Sequence, residues 1–172
     1  MKTLILGGVR SGKSRLAEHL ARESQRSVTY IATAHPGDAE MQARIRVHQQ
    51  RRPGEWSLIE ERIALAQVLA AQDRADGLLL VDCLTLWLTN LLLLEDPDRL
   101  RQELTALPEV LPDLRSDVVL VSNETGLGVV PMGELSRRFC DEAGCLHQAL
   151  AQCCDRVIFT VAGLPHVLKG AL

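Results

Sequence analysis

The sequence predicts an α/β fold in which helices cover both faces of a mostly parallel sheet. Short apolar or β-branched runs alternate with segments of helical spacing along most of the chain, as they do in βαβ units. A glycine-rich stretch, from Gly7 to Ser14, separates the first apolar run from the first helical segment. The run from Gly77 to Asp82 is apolar until its last residue, which is an acid. Such a run is typical of a central strand that ends at the ligand-binding edge.

The other elements follow from the same signals in chain order. Strands are expected at about residues 3–6, 27–32, 56–60, 77–82, 117–122 and 156–161. Helices are expected from the glycine-rich stretch to about residue 23, and at about residues 38–50, 63–72, 84–94, 98–107 and 133–152. Parallel strands bind ligands at their carboxyl ends. Residues 7–14, Thr33, Asp82, Asn123 and Glu124 are therefore expected to lie along one edge of the sheet.

The length, charge and cysteine content of the chain exclude several classes of protein. The chain has 172 residues, of which 47% are hydrophobic and 24% charged, so a single domain over residues 1–172 with its own core is expected. The net charge of −3 argues against a nucleic-acid motor. No apolar run is long enough to span a bilayer, and the first strand begins at once, so a cytoplasmic location is expected. The five cysteines include no C-x-x-C pair, which argues against a disulfide framework or a zinc ribbon.

The glycine-rich stretch matches the phosphate-binding motif G-x-x-x-x-G-K-[ST]. It consists of Gly7, Gly8, Val9, Arg10, Ser11, Gly12, Lys13 and Ser14. Between a strand and a helix, such a loop points its backbone N–H groups at phosphate oxygens. Lys13 is expected to reach the β- and γ-phosphates, and the Ser14 hydroxyl to ligate Mg²⁺. Asp82 stands where phosphate-loop proteins place the acid that meets Mg²⁺, so the sequence predicts binding of a nucleoside triphosphate.

A second candidate site lies on the helix expected at residues 38–50. Arg44, His48 and Arg51 fall on one face of that helix. A neutral imidazole is a nucleophile, and neighbouring arginines attract phosphate oxygens, so His48 could attack an α-phosphate and release pyrophosphate. Taken on these residues alone, a solvated basic face with an incidental histidine is the better interpretation. The remaining histidines lack metal-ligand spacing and are interpreted as structural: His19, His35, His147 and His166. His35 follows the second expected strand, so it could also face the site.

Another nucleotide-binding class, the GTPase switch, fits the sequence less well. A GTPase switch requires a guanine-reading N-K-x-D motif, which the sequence does not contain. The D-x-x-G match from Asp141 to Gly144 falls within an expected helix. A small-molecule kinase or a nucleotidyltransferase suits the length of the chain.

Several further motifs occur in a specific order along nearly the whole chain. They are Gly7 to Ser14, Tyr30-Ile31-Ala32-Thr33-Ala34, Glu40-Met41, Ala43-Arg44-Ile45-x-x-His48, Arg52-Pro53-x-x-Trp56, Asp82-Cys83-Leu84-Thr85-Leu86-Trp87-Leu88-x-Asn90-Leu91-Leu92 and Ser122-Asn123-Glu124-x-Gly126-x-Gly128-Val129-Val130-Pro131. With this set the chain resembles the bifunctional adenosylcobinamide kinase / adenosylcobinamide-phosphate guanylyltransferase family of cobalamin biosynthesis. The sequence departs from the family pattern at Val47, where some relatives have a second histidine, and at His147, where asparagine is expected.

The resemblance implies a RecA-like phosphate-loop fold, a homotrimer and two reactions. A nucleoside triphosphate, ATP or GTP, phosphorylates adenosylcobinamide. GTP then transfers GMP to adenosylcobinamide phosphate, giving adenosylcobinamide-GDP and pyrophosphate. The resemblance makes His48 the carrier of the GMP group, which reverses the interpretation from residues alone. It also implies that the nucleotide contacts comprise residues 7–14 together with Thr33, Gln49, Gln50, Arg51, Arg52, Glu60 and Asp82.

Two alternatives stay open at this point. One is a small-molecule phosphate-loop kinase that lacks guanylyl transfer, and the other is a non-catalytic nucleotide-binding subunit. Release of pyrophosphate would distinguish the bifunctional enzyme from the first alternative, and any turnover would exclude the second.

Overall fold

A computed structural model describes residues 1–34 and 53–172 of the chain. The strands are β1 (Lys2–Gly7), β2 (Ser27–Ala32), β3 (Ser57–Glu60), β4 (Gly77–Asp82), β5 (Asp117–Asn123), β6 (Arg156–Val161) and β7 (Leu164–Lys169). The helices are α1 (Lys13–Glu23), α2 (Leu65–Ala71), α3 (Leu84–Leu93), α4 (Pro97–Val110) and α5 (Glu134–Cys153), and a short 3₁₀ helix covers Leu111–Asp113. The helix expected at residues 38–50 lies outside the described residues.

The strands form one seven-stranded sheet in the order β3-β2-β4-β5-β1-β6-β7. All neighbouring pairs are parallel except β6 and β7. The registers align the carboxyl ends of five strands, because Gly7 pairs with Asn123, Asp82 with Val121 and Ala32, and Ala32 with Glu60. This arrangement confirms the predicted mostly parallel sheet and gathers the candidate residues along one edge.

Helices cover both faces of the sheet, as predicted. On one face, Ala17 and Ala21 of α1 pack against Ile5, Tyr30 and Leu80. On the opposite face, α2 to α5 pack on alternate residues of the same strands, and the helical residues in this larger core include Leu69, Trp87, Leu107 and Leu150. Trp87 is fully buried in this core. Within the described part of the chain, no helix combines the length and the apolar character needed to cross a membrane.

The sequence analysis missed β7 and ended α4 too early. A two-residue turn, with φ of 52° at Ala162 and 82° at Gly163, joins β6 to β7, and such turns produce tight hairpins. Pro165 is disfavoured inside a central strand, but β7 is an edge strand, where a missing N–H is tolerated. Helix α4 continues through Pro108 to Val110. Burial of Leu107 and Leu111 on either side of Pro108 offsets the hydrogen bond that the proline cannot donate.

Candidate functional site

The phosphate loop bends sharply where β1 ends. Gly7 has a φ of +152°, and a Cβ built on it would lie 2.4 Å from the Thr160 carbonyl oxygen and 2.7 Å from Ser11 Oγ. Only glycine fits this close approach of backbone to backbone. The loop is closed internally by the Ser11 N–H, which donates to the Gly8 carbonyl over 3.2 Å. Helix α1 then begins at Lys13, so its first N–H groups face the mouth of the loop.

Lys13 folds back over this loop. Its ammonium group donates to the Gly8 carbonyl oxygen over 2.6 Å, and the residue is buried. Burial lowers the pKa of Lys13, and the nearby Cys83 and Asp82 partly offset this effect by raising the pKa. The ammonium therefore lies between the phosphate loop and the acid at the end of β4, where it can neutralise charge on a bound phosphate.

Asp82 is half-buried at the carboxyl end of β4, and the Tyr30 hydroxyl donates to its Oδ2 over 3.1 Å. Ser14 is half-buried one residue into α1. No cluster of three or more His, Cys, Asp or Glu side chains able to hold a metal ion occurs in residues 1–34 and 53–172. A hydroxyl and a single carboxylate nevertheless fit Mg²⁺, because this ion keeps several waters and completes its shell with substrate phosphates. The donor set suits magnesium bound together with a nucleotide.

Thr33 braces the end of β4. Its hydroxyl accepts from the Cys83 N–H over 2.9 Å and donates to the Cys83 carbonyl over 2.7 Å. The Asn90 amide donates to the Thr33 carbonyl over 2.8 Å, and the Thr33 side chain is fully buried. Burial raises the pKa of the Cys83 thiol to about 11, so Cys83 is a neutral member of this brace at neutral pH. The predicted nucleotide-binding residue Thr33 thus holds Asp82 in place through the backbone of Cys83.

Of the remaining predicted site residues, only Glu60 lies in the described part of the chain. Glu60 is exposed at the carboxyl end of β3 and pairs with Ala32. Four strand spacings separate β3 from β1, which is about 19 Å, so Glu60 and the phosphate loop can contact only different parts of a ligand. The other predicted residues lie outside the described part of the chain: His48, Gln49, Gln50, Arg51 and Arg52.

Two backbone contacts of the phosphate loop were not predicted, although Glu124 was expected at the same edge of the sheet. The Gly163 N–H, in the hairpin between β6 and β7, donates to the Ser11 carbonyl over 2.8 Å. The Glu124 N–H, just after β5, donates to the Gly7 carbonyl over 2.9 Å. The Ala162-Gly163 pair before an apolar run was the available signal for the hairpin. The contact of Glu124 depends on the register between β5 and β1, which sequence spacing does not give.

The comparison with known families identifies the family of the chain. A family model described as cobinamide kinase / cobinamide phosphate guanyltransferase matches residues 3–168. The chain belongs to this family. It is similar to the bifunctional adenosylcobalamin biosynthesis protein CobP of Pseudomonas aeruginosa, with 64% identity over 170 residues that cover 99% of this chain and 98% of the relative. It is also similar to the bifunctional adenosylcobalamin biosynthesis protein CobU of Escherichia coli K12, with 38% identity over 182 residues that cover 98% and 100% of the two chains.

Solved structures agree with the fold. The RadB recombinase structure matches with a TM-score of 0.54 at 19% identity and covers 92% of this chain and 73% of its own. A Pyrococcus horikoshii OT3 protein matches with a TM-score of 0.59 at 7% identity and covers 99% and 87%. These likenesses support the RecA-like, phosphate-loop architecture expected from the sequence.

Family membership therefore makes the chain an enzyme of cobalamin biosynthesis, with kinase and guanylyltransferase activities directed at cobinamide and its phosphate. The resemblance drawn from the sequence motifs is confirmed. A non-catalytic nucleotide-binding subunit does not agree with this assignment.

Proposed function

We propose that guanylyl transfer in this enzyme proceeds through a covalent guanylyl group on His48. The observation that carries the proposal is the position of the phosphate loop. The loop lies at the sheet edge where β2 ends, and the segment that contains His48 follows β2 in the sequence. Support comes from the buried Lys13 beside Asp82 at that edge and from membership of a guanylyltransferase family.

The proposed reaction consists of two displacements at the α-phosphorus of GTP. An imidazole nitrogen of His48 attacks this phosphorus, the bond to the β,γ-pyrophosphate oxygen breaks, and pyrophosphate leaves. A phosphate oxygen of adenosylcobinamide phosphate then attacks the same phosphorus, and the nitrogen–phosphorus bond breaks to give adenosylcobinamide-GDP. Dividing the transfer in this way replaces one difficult step with two easier ones. Arg51, Arg52 and Lys13 are proposed to offset the phosphate charge.

The site is also proposed to use Mg²⁺, with Ser14 and Asp82 as its protein ligands. When bound, the ion supplies Lewis-acid stabilisation of phosphate oxygens. Two contacts orient the proposed carboxylate ligand, because the Tyr30 hydroxyl donates to one oxygen of Asp82 and the Thr33 hydroxyl accepts from the N–H of the following residue, Cys83. The remaining proposed nucleotide contacts are Gln49, Gln50 and Glu60.

Labelling with GTP tests the covalent step. The wild-type protein is expected to acquire label from GTP radiolabelled at the α-phosphate and none from GTP labelled at the γ-phosphate, since only the α-phosphorus bonds to His48. The label should be acid-labile and alkali-stable, should require Mg²⁺ and should pass to adenosylcobinamide phosphate. His48→Asn should abolish it, and the matched control His166→Asn, at an exposed position on β7, should keep it.

Either of two results contradicts the covalent mechanism. One is the absence of α-label on a protein that binds GTP normally, and the other is persistence of the label in the His48→Asn variant. If the wild-type protein phosphorylates adenosylcobinamide but releases no pyrophosphate from GTP, the chain acts as a kinase that lacks guanylyl transfer.

We also propose that the enzyme is a homotrimer. Support comes from an apolar patch formed by Leu127, Val129, Val130 and Met132 of the loop before α5 and by Leu135 in the first turn of α5. Val129 and Met132 are 96% and 97% exposed in the single chain. Neighbouring exposed apolar side chains of this kind are typical of surfaces that another protein covers.

Light scattering after size-exclusion chromatography tests the trimer. The wild-type protein should have three times the chain mass of 18.9 kDa. Val129→Lys combined with Met132→Lys should shift it toward the single-chain mass, because two charges would be buried without partners. Leu164→Lys, at an exposed apolar position outside the patch, is the control and should stay trimeric. A wild-type protein with the mass of one chain would refute the proposal.

A further inference from the structure

A buried histidine connects α5 to the residues that follow β5. His147 Nε2 lies 2.8 Å from Ser122 Oγ, and its Nδ1 lies 3.4 Å from Glu124 Oε2. His147 is 7% exposed and Ser122 is 2% exposed. The tautomer that carries its proton on Nδ1 fits both neighbours, because the ring can then accept from the Ser122 hydroxyl and direct an N–H toward the carboxylate.

Glu124 is the acidic partner of His147. Nδ1 of His147 has no hydrogen-bond partner of good geometry, and the Glu124 carboxylate lies 3.4 Å from it. A cavity of about 420 Å³ adjoins the ring, and its charged lining side chains are Glu124 and Lys169. Lys169 is engaged with the carbonyl groups of Ala151 and Gln152 at the end of α5. Burial lowers the pKa of His147, and Glu124 opposes that effect, so the ring is neutral at neutral pH.

Glu124 in turn contacts the phosphate loop. Its N–H donates to the carbonyl of Gly7, the first residue of the loop. One carboxylate oxygen, Oε1, accepts from the Gly126 N–H over 2.6 Å, while the other faces His147. The same side chain therefore fixes the turn after β5 and places the backbone that supports Gly7. A side chain that orients Glu124 acts on the phosphate loop without touching a nucleotide.

We propose that His147 is a positioning residue for nucleotide binding, which acts through Glu124 on the Gly7 carbonyl. Ser122 fixes the ring from β5, and the ring fixes the carboxylate of Glu124. The Glu124 backbone then holds the start of the phosphate loop in the conformation that receives phosphate. This role applies to the known kinase and guanylyltransferase reactions and does not depend on the covalent step at His48.

Steady-state kinetics with adenosylcobinamide and ATP test the proposal. His147→Leu should raise the KM for ATP about tenfold, since the polar contact that orients the Glu124 carboxylate is lost, and should change kcat little. His147→Asn should restore most of the affinity, because its amide N–H can take the place of Nδ1 and donate to the Glu124 carboxylate. Amide hydrogen exchange at Glu124 and Gly126 should be faster in His147→Leu, with β5 still protected. His166→Asn is the matched control.

The pH dependence of stability provides an independent readout. Because the pKa of His147 is lowered in the folded protein, the unfolded chain takes up the proton first as the pH falls below about 6.5. The stability that the neutral ring contributes is complete above that pH and is lost on further acidification. The wild-type Tm should therefore fall more than that of His147→Asn between about pH 7 and pH 5.

Three results would overturn the proposal. The first is an unchanged KM for ATP in a folded His147→Leu protein. The second is strict additivity between His147→Leu and Glu124→Gln, because residues that act through one contact should show coupled effects. The third is a parallel pH dependence of Tm in wild type and His147→Asn. If His147→Leu does not fold, Ser122→Ala replaces it, with the same rise in KM expected and an unchanged KM counting against the proposal.

Discussion

Replacing Gly7 with alanine should lower the Tm by about 10 °C and remove most of both activities. The new Cβ would lie 2.4 Å from the Thr160 carbonyl oxygen, and the φ of +152° disfavours any side chain. Backbone strain and overpacking together cost about 3–5 kcal/mol. Each kcal/mol shifts the Tm of a domain of this size by about 2–4 °C. Relief of the clash must separate β1 from β6, which displaces the phosphate loop itself.

The neighbouring glycine provides the control. A Cβ on Gly8 would meet no atom within 4 Å, so Gly8→Ala should change the Tm by no more than about 2 °C. Thermal melts and kinase assays on the two variants measure both effects. Equal losses of Tm in the two variants would contradict this explanation, because only Gly7 of the two lies in close contact with β6. A Gly7→Ala protein with normal Tm and normal activity would contradict the geometry of the loop.

The difference between these two glycines marks the limit of what the sequence could predict. The motif identifies both as parts of a phosphate loop, because the pattern reports the local backbone path. Which of them is packed against another strand depends on β6 lying beside β1, and β6 comes from the other end of the chain. Local patterns likewise predicted β2 and β4 with their observed ends, since each is a continuous β-branched or apolar run.

The sequence missed features that depend on tertiary pairing. The hairpin strand β7 carries Pro165 and exposed residues, so its propensity is weak, and pairing with β6 stabilises it. Nothing in the sequence indicated that the Thr33 hydroxyl bonds to the backbone of Cys83, just after β4, and its predicted contact with nucleotide stays a prediction. His147 was interpreted as structural because it has no ligand spacing, and its partners come from another part of the chain. Sequence periodicity contains no information about such partners.

Replacing Lys13 with methionine should lower kcat/KM about 10²–10³-fold in both the kinase and the guanylyltransferase assay. Methionine has a similar length and suits a buried position, so the change removes the charge with little effect on packing. In the structure, this ammonium lies over the loop on the Gly8 carbonyl and close to Asp82. Loss of a preorganised positive group that faces developing phosphate charge typically has an effect of this size.

A control variant with the same change of net charge shows whether the loss of activity depends on the position of Lys13 or only on the total charge of the protein. Arg101→Met removes one positive charge from an exposed site on α4, where Arg101 pairs only weakly with Asp98, and should leave both activities within about twofold. Melting temperatures of the two variants show whether the folded state is preserved. Because the described residues contain one phosphate loop, a shared loss in both assays means that both reactions use it. A loss confined to the kinase assay would instead place the GTP phosphates of the transfer reaction at a second site, away from Lys13.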